Sequence, residues 1–80
     1  MVNNSLITVN TITHTSNATI RTISLPDVKN VICAELYDTD YIFKWEFVDG
    51  QLKYKLYTTY QGALTLMASK QTVTIRYIAI

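Results

Sequence analysis

Cysteine is almost missing from these 80 residues: Cys33 stands alone, so no intrachain disulfide can staple the fold. A lone cysteine with a lone histidine, His14, also fails to supply the usual zinc ligand set. Proline occurs once, at Pro26, and no linker, internal repeat or low-complexity tract interrupts the chain. Charge is scarce, at 16% of residues, with seven basic and six acidic side chains giving a net +1. That balance excludes a disordered charged tail and argues against a strongly electropositive nucleic-acid binder. No run approaches the roughly 18–20 uncharged apolar residues of a membrane helix. The start, Met1-Val2-Asn3-Asn4-Ser5, carries neither a positive charge nor a long apolar stretch, so it does not read as a secretory signal. The chain is therefore expected to be made in the cytoplasm, and the glycosylation patterns Asn3-Asn4-Ser5 and Asn17-Ala18-Thr19 read as chance.

What remains is β-forming. Ile, Val, Thr and Tyr dominate, twelve residues are threonine, and no window keeps a convincing helical period. The whole chain, 1–80, reads as one all-β domain: a small β-sandwich or jelly-roll-like arrangement of about seven short antiparallel strands. A domain of this size hides only about 60–65% of the surface that its unfolded chain exposes, so a partner subunit would help its stability.

The alternation predicts strands over Leu6–His14, Ala18–Leu25, Val31–Tyr37, Tyr41–Val48, Gln51–Thr59, Ala63–Met67 and Thr72–Ile80. A change of phase between Ile7/Val9 and Ile12 suggests a bulge near Asn10. Residues Val28 to Leu36 also fit a helical turn or two, because Val28, Val31, Ile32 and Glu35 fall near i, i+3, i+4, i+7. Asp49-Gly50 is the strongest hairpin signal, since both residues accept the positive φ of a type I′ turn. Around it, Tyr41, Phe43, Trp45 and Phe47 share one face with Leu52, Tyr54 and Leu56 of the return strand. Four aromatics on one face of a central strand read as core rather than as a stacking platform for single-stranded nucleic acid. Glu46 and Lys53 would face each other on the outer side. In the last strand Val73, Ile75, Tyr77 and Ala79 alternate against Thr74, Arg76, Ile78 and Ile80.

Catalysis finds little support. His14, on a Thr-rich strand end without an acidic neighbour, reads as a solvated residue, and Cys33, between Ile32 and Ala34, reads as a small hydrophobe in an apolar strand. Asp38 and Asp40 flank a turn, where Asp is common, and the rest of a calcium loop is missing. No catalytic residue, no metal site and no cofactor is expected. Tyr37, Tyr57 and Tyr60, near turns with Asp38, Asp40 and Gln61, are the candidate ligand-binding aromatics, with a sugar ring as the natural occupant. Ile42, Val48, Ile78 and Ile80 fall opposite the presumed core and are the candidate contacts of a homo-oligomer.

The closing run Thr72-Val73-Thr74-Ile75-Arg76-Tyr77-Ile78-Ala79-Ile80 resembles the final strand of bacteriophage tail-fibre and receptor-binding domains, which often read V-T-V-x-Y-I-A-I and continue with Gly. The 80 residues carry neither that Gly nor a fibre-shaft sequence. The resemblance implies a non-enzymatic virion module on a tail fibre, head fibre or capsid surface, typically trimeric, meeting a host-surface glycan or protein. The competing expectation is a small β-barrel binding protein that acts on a host partner or on single-stranded nucleic acid.

Overall fold

Two long strands, each central in its own sheet, organise the molecule. The computed structural model describes residues 7–37 and 39–80, and among them every regular element is a strand. The strands are β1 (Thr8–Ser16), β2 (Arg21–Ser24), β3 (Val31–Leu36), β4 (Ile42–Val48), β5 (Gln51–Tyr60), β6 (Ala63–Leu66) and β7 (Gln71–Ala79). One antiparallel sheet has the order β1-β7-β3; in the other, β5 is flanked by β4 on one side and by β2 and β6 in tandem on the other. The fold is all-β, two antiparallel sheets packed as a sandwich.

The alternation explains the packing. Val73, Ile75, Tyr77 and Ala79 of β7 are all buried, as are Leu52, Tyr54 and Leu56 of β5, and they meet in one core with Ile23 and Val31. A strand points successive side chains to opposite faces, so each central strand offers one full row to the interior. The Asp49-Gly50 turn has φ of 53° and 74°, the left-handed pair that a type I′ hairpin requires. Gln61-Gly62, with φ of 50° and 79°, turns β5 into β6 in the same way. The connection between β2 and β3 is tied at both ends. Leu25 N donates to Gly50 O at 2.8 Å, while Lys29 N and Asn30 N both donate to Ile80 O.

Four expectations need correction. β1 pairs with β7 in unbroken register from Thr8↔Ala79 to Ser16↔Gln71, so there is no bulge near Asn10. The phase change arises because Ile7 and Val9 are apolar residues on the outer face, both exposed. The irregularity lies instead in β3, where the register shifts between Val31 and Cys33. That shift leaves both Ile32 and Cys33 outside, so Cys33 is an exposed thiol rather than a core residue. Residues 31–36 form a strand, which settles the helical alternative for this stretch. Finally, β4 is an edge strand and not a central one. Phe43, Trp45 and Phe47 do face the core, but each is only half-buried because one flank has no neighbouring strand. The expected start of the first strand at Leu6, the Asn3-Asn4-Ser5 pattern and Asp38 lie outside the described residues.

Candidate functional site

The interior holds one polar cluster that the sequence reading missed. Arg21 and Ile23 share the inward face of β2, so the guanidinium enters the core, where Arg21 is fully buried. It bridges two connections: Nη1 donates to Ser16 O at 2.6 Å, and Nη2 donates to Ser69 O at 2.8 Å and Met67 O at 3.3 Å. Three backbone carbonyls thus take the place of a counter-ion, and Nε has no partner. The available signal was an arginine in phase with Ile23 and Leu25 on an apolar alternation.

Beside Arg21, Tyr54 lies directly opposite it on β5 and reaches across to the other sheet. Its phenol oxygen is 2.6 Å from His14 Nδ1, and the two rings meet edge to face at 5.7 Å. Burial and the nearby Arg21 charge both lower the His14 pKa, while burial raises that of Tyr54. Both shifts favour neutral partners, and the tautomer of the imidazole decides which of the two groups donates. His14 is therefore not a solvated strand-end residue, as its sequence context suggested: it points inward and is half-buried. Among the described residues no carboxylate hydrogen-bonds to this cluster, whose hydrogen bonds join strands and connections to one another. The arrangement holds the two sheets in register at that end of the sandwich. Among the described residues, no three His, Cys, Asp or Glu side chains converge as a metal site.

The outer faces carry a different chemistry. Outside the β2/β6-β5-β4 sheet, Ile42, Tyr57 and Leu66 stand side by side in three neighbouring strands, with Leu64 next along β6. Ile42, Leu64 and Leu66 are exposed, and the Lys44 ammonium lies 5.6 Å from the centre of the Tyr57 ring. Lys44 faces Lys55 and Glu46 faces Lys53 further along the same hairpin. This apolar row with lysines on one flank is the candidate binding surface.

Outside the β1-β7-β3 sheet, Arg76 pairs with Glu35 at 2.6 Å and stacks over Tyr37 at 5.2 Å. Val9, Ile78 and Cys33 line up across the three strands beside that pair. Beyond it, Thr13 meets Thr74 at 3.3 Å and Thr15 meets Thr72 at 2.8 Å, hydroxyl to hydroxyl.

The three candidate tyrosines are not brought together. Tyr57 lies on the outer face of one sheet, Tyr60 is exposed near the end of β5, and Tyr37 is on the outer side of the opposite sheet. The four candidate interface residues divide in the same way. Ile42 and Val48 lie at the two ends of β4, both exposed on its outer face. Ile78 and Ile80 belong to the C-terminal segment, which is central in its sheet and offers only a face, since β7 is paired on both sides. No protein-family model, no curated protein and no solved structure matches this chain.

Proposed function

We infer that this chain is a non-enzymatic structural and adhesion module, a virion fibre-tip or decoration domain that works as a homo-oligomer. It meets its target, a glycan or protein at the host surface, through a strand face rather than a pocket. The observation that carries the reading is the outer-face row of exposed Ile42, half-buried Tyr57 and exposed Leu66 across three strands of one sheet. A contiguous apolar patch on so small a domain marks a contact surface. The polar cluster around Arg21 supports the same view, because both Nη groups are engaged by backbone carbonyls rather than aimed at an open site. Single-stranded nucleic acid is disfavoured by the direction of the aromatics: Phe43, Trp45 and Phe47 pack against the core, away from the outer face of Lys44, Lys53 and Lys55.

The test is binding of the fluorescently labelled chain to intact bacterial cells of a susceptible strain. Saturable binding that falls at least ~10-fold in a Tyr57→Ala/Leu66→Lys variant of unchanged circular dichroism supports the reading. Equal binding by the variant overturns the surface, and a hydrolase or transferase activity in the native chain overturns the class.

A further inference from the structure

We propose that two copies of this chain join edge to edge through β4, antiparallel about a two-fold axis at Trp45, so that the sheet containing β5 continues across both. The proposal rests on the homo-oligomer reading above and names the surface and register that it uses.

The free edge comes first. Among the described residues β4 hydrogen-bonds only with β5, so its other flank has no strand partner. The hairpin fixes which backbone groups are free there. In a two-residue type I′ turn the flanking pair, Val48 and Gln51, exchanges hydrogen bonds, and every second residue of β4 does the same. The amides and carbonyls of Phe43, Trp45 and Phe47 therefore point to the open edge. Antiparallel pairing of two such edges about Trp45 sets Phe43 against the partner's Phe47 and gives about six interstrand hydrogen bonds.

The side chains fit the same axis. With Trp45 at the centre, each Ile42 meets the partner's Val48, and each Lys44 meets the partner's Glu46. The strand is thus complementary to itself in charge, which an isologous interface requires. Within one copy the relation is less favourable, since Lys44 stands opposite Lys55. A second copy brings a carboxylate to that pair. On the inner face the half-buried Phe43, Trp45 and Phe47 gain the neighbouring strand that their edge position lacks. Aromatics at the centre with a complementary charged pair on either side is the composition of a specific interface.

The other edges fit a two-fold less well. β2 and β6 have four residues each, and β3 is interrupted by its register shift. β1 is long and carries no charge, so nothing in it fixes a register.

Charge reversal tests the register. Lys44→Glu puts two carboxylates opposite each other across the interface, and Glu46→Lys puts two ammonium groups there. Each single variant should dissociate, with the dimer constant weakened at least ~10-fold. The double variant Lys44→Glu/Glu46→Lys restores the complementarity and should dimerise like the native chain. An equimolar mixture of the two single variants should form a mixed dimer. Circular dichroism of each variant checks that the sandwich is intact, and amide exchange at Phe43, Trp45 and Phe47 should be slow in the native dimer and fast in the single variants.

A native dimer or trimer indifferent to both single variants would overturn the β4 interface while leaving the homo-oligomer reading standing. So would single variants that dissociate without rescue in the double variant or the mixture. A native chain that stays monomeric at all concentrations would overturn both.

Discussion

The phenol oxygen of Tyr54 and Nδ1 of His14 share a 2.6 Å hydrogen bond that ties the centre of one sheet to β1 of the other. Its surroundings favour the neutral imidazole, and this gives folding a pH dependence. Burial and Arg21 hold the folded-state pKa of His14 below its ordinary 6.5. The unfolded chain therefore binds a proton first as pH falls. The stability that His14 contributes is complete above pH 6.5 and is lost as pH drops from there towards the lowered folded value. The thermal midpoint should fall on acidification through this window, and His14→Gln should flatten that part of the profile. A midpoint that rises on acidification would contradict the neutral pairing.

Arg21 should be among the least replaceable residues of the chain. Arg21→Ala removes the donor from three part-buried carbonyls and leaves a cavity, at a cost of about 3–5 kcal/mol. For a domain with a total stability of about 5–15 kcal/mol, that approaches unfolding. Arg21→Lys keeps the charge but not the planar fork that spans Ser16, Met67 and Ser69, so it should retain the fold at a loss of about 1–3 kcal/mol. Urea titrations give both values. Equal stability of all three proteins would mean that the guanidinium is not what clamps the two connections.

Trp45→Ala should cost about 2–3 kcal/mol in dilute solution, below the 3–5 kcal/mol of a fully enclosed aromatic, because part of the indole has no strand beside it. Denaturation of the dilute protein, followed by far-ultraviolet circular dichroism, measures this. A loss beyond that of Leu52→Ala, a fully buried site, would place Trp45 at the centre of the core instead.

The strands were legible because their alternation is nearly uninterrupted. Leu52, Tyr54 and Leu56 in β5, and Val73, Ile75, Tyr77 and Ala79 in β7, are the inward rows that the pattern gives, and Asp49-Gly50 takes the turn that its residue types favour. Strand order is another matter. Alternation says which face a residue uses, but it does not say whether a strand has one neighbour or two. Phe43, Trp45 and Phe47 therefore looked like the middle of a sheet while lying at its edge. The same blindness hid Cys33, since one extra residue in β3 reverses every face that follows it. Arg21 and His14 were missed for a different reason. Apart from the nearby Ser16 carbonyl, their partners Tyr54, Met67 and Ser69 are remote in sequence, and only the fold brings them within reach. For the outer surface, the sequence marked Ile42, Val48 and Tyr57 as exposed on the hairpin, but not that Leu66 of β6 completes the row beside Tyr57.

Sedimentation equilibrium of the native chain at micromolar concentrations tests the central claim, that the domain works as an assembly of copies of itself, most directly. The account predicts a mass of twice the single chain, falling towards that of one chain on dilution as the β4 edges separate. A single species of one chain's mass, soluble and folded at every loading concentration, would contradict it.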